Sequence, residues 1–77
     1  MGRKSFKYSK ILCKRVGKKI ALLRREKQMI QDELSFNANI STSFLSAIER
    51  GKTDVTITTL EHLAKVLNVE ITEFFVS

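Results

Sequence analysis

The sequence predicts an all-α domain, and three observations carry that expectation. The run from Gln31 to Lys52, QDELSFNANISTSFLSAIERGK, reads as two short amphipathic helices joined by a tight turn. Apolar residues recur at helical spacing on both sides of it, as Val16, Ile20 and Leu23 before it and Leu60, Leu63, Ala64 and Leu67 after it. The 77 residues include no proline and three glycines, and 43% of them are hydrophobic, which suits one small folded unit and argues against disorder.

Taken in order, residues 1–9 form a leader without periodicity that carries Arg3, Lys4 and Lys7, and we expect it to be basic and flexible. Residues 10–77 are expected to form the domain. In the first helix, Val16, Ile20 and Leu23 face inward, leaving Lys10, Lys14, Arg15, Lys18 and Lys19 on the other side. The turn after the second helix falls at Asn39, because Asn is among the few residues besides Gly that tolerate the left-handed backbone a sharp turn demands. Ser41 is the expected N-cap of the third helix, since its hydroxyl oxygen can accept from the unsatisfied N–H groups of the first turn. Leu45 and Ile48 then define its inward stripe, while Thr42, Ser43, Ser46 and Ala47 are left for other work. In the segment TDVTITT, Thr56 or Thr58 caps the fourth helix, and Asn68 ends it. Ile71, Phe74, Phe75 and Val76 crowd apolar surface into a last short helix. A domain this small can hardly bury all of it, so this helix is expected to be a homodimer interface; the alternative is that it caps the monomer's own core.

Charge is distributed unevenly along the chain. Residues 1–27 hold eleven Lys/Arg and one Glu, a balance of +10, whereas residues 28–77 hold three Lys/Arg and seven Asp/Glu, a balance of −4, within a net charge of +6. The basic half is the leader and the first helix. That ridge reads as a phosphate-attracting surface, or else as a solvated face that aids solubility. Beside it, the small hydroxyl residues of the third helix suit the floor of a DNA major groove, where short side chains meet several base edges.

These segments resemble the phage-repressor-like helix-turn-helix regulators, often called the XRE or Cro/repressor family. The resemblance runs from about Val16 to Phe75 through VGKKIALLRREK, QDEL, the helix ending in IERGK, and TLEHLAKVLNV followed by EITEFF. It implies a compact five-helix, lambda-repressor-like domain whose third helix enters the major groove, commonly as a dimer on its operator. It also implies that Gln31 touches phosphate and neighbouring side chains. Arg24 and Glu49 stand where such repressors place a structural ion pair between the first helix and the end of the third. Several positions depart from the pattern: Gln28 and Asn39 stand where Gly is frequent, Ile30 replaces a capping Ser or Thr, Ser35 replaces Ala, and Val55 replaces Pro. Without that cap, the second helix is expected to lean on Gln31 and Asp32.

Together these readings make Thr42, Ser43, Phe44, Ser46 and Ala47 the expected base-facing residues, with Phe44 against sugar or thymine methyl groups. Gln31, Ser41, Arg50, Lys52 and Thr53 are expected to position phosphates. The short build and the stretch TSFLSAIERG are similar to restriction-modification controller proteins, and small phage repressors and antitoxin subunits share the same features. The expected partner is double-stranded DNA bound by a homodimer on a palindromic site. One other reading is an antitoxin-like module whose Phe-rich C-terminus binds a partner protein; another is a basic helix that binds anionic lipid.

Enzymatic chemistry has little to work with. His62 is the single histidine and lacks neighbours at metal-ligand spacing, and Cys13 has no base beside it in the sequence. No glycine-rich phosphate loop is present, so no catalytic residue, metal or cofactor is expected. A lone cysteine and the lack of a long apolar run point to a cytoplasmic protein without a membrane span.

Overall fold

In the computed structural model, residues 9–76 are described; the leader expected over 1–9, with Arg3, Lys4 and Lys7, lies outside the described residues except for Ser9. Four α-helices follow one another: α1 (Lys10–Glu26), α2 (Gln31–Asn37), α3 (Thr42–Glu49) and α4 (Ile57–Leu67), and a short 3₁₀ helix, η1 (Ile71–Phe75), closes the chain. The resemblance implied five helices. The fifth is a 3₁₀ helix, whose bonds each span three residues, Glu73 N–H to Glu70 O at 2.9 Å and Val76 N–H to Glu73 O at 3.2 Å.

Three helices start at hydroxyl caps. Ser9, Ser41 and Thr56 accept from the N–H groups of Leu12, Phe44 and Thr59 at 3.1, 3.0 and 3.1 Å. The Ile30 side chain has no acceptor to offer α2, and Glu33 instead folds back and accepts from the Ile30 N–H at 3.0 Å. Glu33 therefore does the work expected of Gln31 and Asp32, whose side chains turn towards α3.

The four α-helices end alike. Gln28, Asn39, Gly51 and Asn68 all adopt left-handed backbone, with φ between 57° and 68°. At each end, two N–H groups return to the last turn; Gly51 and Lys52, for example, donate to the carbonyls of Ile48 and Ala47 at 3.0 and 2.9 Å. This gives abrupt reversals without proline.

The core is built from Val16, Ile20, Leu34, Leu45, Ile48, Leu60, Leu63, Leu67 and Phe74. Phe74 is 1% exposed within the single chain, so its ring closes the bottom of this core and is not on offer to a second copy. That corrects its expected place in a dimer interface: the 3₁₀ geometry turns Phe74 inward and leaves Phe75 and Val76 outside. Ile71 is half-buried against the same core. The crossing of α1 over α3 is tight at Gly17, where a Cβ would overlap the Ile48 carbonyl oxygen and lie 2.9 Å from that of Glu49. No helix among the described residues is long and apolar enough to cross a membrane.

Candidate nucleic-acid interface

The position of α3 is fixed by one polar cluster at its end and another at its start. At its end, Arg24 of α1 donates through Nε to Glu49 Oε2 at 2.8 Å and through Nη2 to Glu49 Oε1 at 3.0 Å. Its Nη1 donates to the Met29 carbonyl at 2.9 Å, and Gln31 Nε2 donates to Glu49 Oε1 at 2.9 Å. Four donors thus hold two nearly buried charges, joining α1, the α1–α2 turn, α2 and α3. The hydrogen bonds from Arg24 to Glu49 push the arginine further above its ordinary pKa, outweighing burial, which pulls it down. Gln31, expected at phosphate, spends an amide hydrogen on Glu49 and is half-exposed at the mouth of this cluster.

At the start of α3, Thr42 Oγ1 donates to Asp32 Oδ1 at 2.9 Å and lies 3.0 Å from Ser35 Oγ. Ser35 is 2% exposed, and its hydroxyl also approaches the Asp32 carbonyl oxygen at 3.2 Å. The serine standing where Ala is usual thus finds its partners in α2 and at the start of α3. Thr42 stays exposed, but its hydroxyl is engaged with α2, leaving its methyl as its least committed group. Ser43 is exposed, and Ser46 and Ala47 are half-buried, on a helix whose Leu45 and Ile48 are sealed in the core. Phe44 is half-buried and packs against that core.

Among the residues expected at phosphate, Ser41 uses its oxygen as the cap of α3 and retains a hydroxyl hydrogen to donate. Arg50 is exposed, with its Nε donating to the Ser46 carbonyl at 3.2 Å, and Lys52 is exposed beside it. Thr53 is half-buried and donates to the Asp54 carbonyl at 3.1 Å. An open groove of about 780 Å³ brings Lys18 and Arg25 of α1 together with Gln31, Ser46 and Arg50. Its other wall is apolar: Leu22, Phe75 and Val76 are 47%, 47% and 55% exposed.

One member of the cationic ridge departs from expectation. Lys19 pairs with Glu73 at 3.4 Å, and its side chain is only 17% exposed, so it ties α1 to η1 and does not extend the ridge. The Asp32–Ser35–Thr42 cluster was not anticipated either, although the Ser in place of Ala was its visible trace. Cys13 is half-buried on α1, and burial with the nearby Asp54 carboxylate pushes its thiol pKa up. His62 is exposed on α4.

Known proteins resemble this chain in sequence and in fold. The helix-turn-helix family HTH_3 matches residues 20–74, most of the chain. The uncharacterized HTH-type transcriptional regulator y4dJ of Sinorhizobium fredii is 42% identical over 60 residues, covering 78% of each protein. The immunity repressor protein of Bacillus phage phi105 is 36% identical over 56 residues, covering 73% of this chain and 39% of that protein. Among solved structures, the restriction-modification controller protein C.AhdI from Aeromonas hydrophila superposes with a TM-score of 0.80 at 28% identity, covering 82% of this chain and 96% of that one. With its capped α2–turn–α3 unit and all-helical core, the chain belongs to the HTH_3 helix-turn-helix family, the XRE-type DNA-binding transcriptional regulators.

Proposed function

We propose that this protein is a sequence-specific transcriptional regulator that binds a palindromic operator as a homodimer and inserts α3 into the major groove. The observation that carries the reading is the outer face of α3, where Ser43, Ser46 and Ala47 stand clear of the core while Lys18, Arg25 and Arg50 share one groove with Ser46. Short side chains let a helix approach base edges closely, and cations gathered beside them suit the phosphates that flank those bases. Thr42 contributes its methyl to thymine, and Gln31, Ser41 and Lys52 donate to phosphate. The exposed apolar residues Leu22, Phe75 and Val76 form the face that a second copy covers. A two-fold axis through it sets the paired α3 helices about 34 Å apart, one turn of DNA. The resemblance to a controller protein favours gene regulation by a small dimer, in the cytoplasm.

Selection of binding sites from a random duplex pool, combined with sedimentation of the free protein, tests this reading. The expected result is a palindromic winner and a dimer that Phe75→Glu splits into folded monomers. A chain that binds every duplex equally, or that stays monomeric on its winning site, would count against it. A stable one-to-one complex with another protein, in place of DNA binding, would favour the antitoxin-like alternative.

A further inference from the structure

We infer that the first two turns of α1 and the loop after α3 together form a phosphate cleft, which grips the DNA backbone beside the groove that α3 enters. This inference rests on the DNA-binding reading of α3 and adds a second element to it. Lys10 and Lys14 are one helical turn apart and so lie on one face of α1. Across from them stand Arg50 and Lys52, and the four cations line a cleft of about 270 Å³ with Ile11 and Gly51 at its wall.

The two basic elements are held together by backbone contact. Gly51 has φ of 68°, and a Cβ there would lie 2.7 Å from both Cα and Cγ of Lys14. Only glycine satisfies the left-handed turn and the contact at once, so α1 is seated directly on the loop. None of the four cations takes part in the salt bridges of the described residues, which join Lys19 to Glu73 and Arg24 to Glu49. Asp54, the acid next along the loop, uses Oδ1 to accept from the Val55 N–H at 3.1 Å. The carbonyls at the end of α3 are also engaged, by the Gly51 and Lys52 N–H groups. The cleft therefore gathers four positive charges against one nearby acid, Asp54, and the positive end of the α1 dipole adds to them. Like charges gathered this way repel one another, and a phosphodiester supplies the missing counter-charge.

The cleft lies beyond the C-terminal end of α3, outside the base-facing residues. It consequently meets phosphates that flank the bases being read. It should raise affinity and salt dependence while leaving sequence preference alone.

The test is titration of the full chain against its selected duplex and a scrambled one across a salt series. The variants are Lys10→Gln/Lys14→Gln, the charge-preserving Lys10→Arg/Lys14→Arg, and Lys27→Gln/Lys65→Gln as a control away from the cleft. The glutamine pair is expected to lower the slope of log affinity against log salt by about 1–2, with roughly 10- to 100-fold weaker binding at moderate salt. The ratio of selected to scrambled affinity should hold, and the arginine pair should behave like the unaltered chain. A folded glutamine pair that keeps the original slope, or that loses no more than the control, overturns the inference. If the unaltered chain itself prefers no duplex, the DNA-binding reading fails first, a result distinct from an unchanged slope.

Discussion

Replacing Arg24 with Met, Glu49 with Leu, and both together probes the joint that sets α3 against α1. Arg24→Met removes three hydrogen bonds, two to Glu49 and one to the Met29 carbonyl. Glu49, 9% exposed, is left with the Gln31 amide as its one side-chain donor. Stranding a buried charge in this way costs about 3–5 kcal/mol. A 77-residue domain has only about 4–12 kcal/mol in total. The melting temperature should therefore fall by about 12–40 °C, close to complete unfolding under ordinary conditions. Glu49→Leu should be similarly harmful, because Arg24 then keeps only the Met29 carbonyl. The double variant replaces both charges with apolar groups of comparable size and should return to within about 2 kcal/mol of the unaltered chain. The arginine pKa is raised on folding, so its contribution is complete below the value of a free arginine and is lost only as pH rises beyond it. The loss in Arg24→Met should accordingly be the same at about pH 6 and about pH 9 as far as this group is concerned. Urea unfolding followed by circular dichroism measures all four proteins. An Arg24→Met chain as stable as the original, or a double variant losing the sum of the two single losses, would refute the reasoning.

Three further effects follow from backbone and thiol geometry. Gly17→Ala drives a methyl into the Ile48 carbonyl oxygen; after the gain of about 1 kcal/mol in helix propensity, a net loss of about 1–2 kcal/mol should remain in thermal melts, and an unchanged melting temperature would mean that α1 and α3 are not so close. Gln28→Gly relieves a side chain held at φ of 57° and should stabilise the chain by about 0.5 kcal/mol, the difference between removed strain and added unfolded-state freedom, whereas a lower melting temperature would contradict the left-handed turn. Cys13 should be alkylated more slowly in the folded protein than in urea at about pH 8, and Asp54→Asn should restore part of the rate; equal rates in all three would remove the assigned causes of the raised thiol pKa.

The helices were legible in the sequence because their periodic apolar residues and hydroxyl caps are local signals. Ser41 at the start of α3 and Asn39 in the turn are examples, since each acts within three residues of itself. Long-range choices were not local. Phe74 and Phe75 are adjacent and equally apolar, and only the 3₁₀ twist of η1 over α1 decides that one fills the core and the other faces solvent. Lys19 looked like one more ridge lysine until Glu73 arrived from the far end of the chain. Thr42 illustrates the same limit at the interface: its exposure could be read from the helical pattern, but the capture of its hydroxyl by Asp32 depends on how α2 folds back. The cap of α2 differs from expectation for a simpler reason: the Glu33 carboxylate reaches back to the Ile30 N–H, so no side-chain acceptor is needed at Ile30.

The most direct test of the central claim is to repeat binding-site selection with Ser43→Gln and Ser46→Arg chains beside the unaltered one. If α3 is the reader, each substitution should change base preference within both half-sites symmetrically, while half-site spacing stays the same. If the same sequence wins with all three chains, α3 is not reading bases, and specificity must come from another part of the protein.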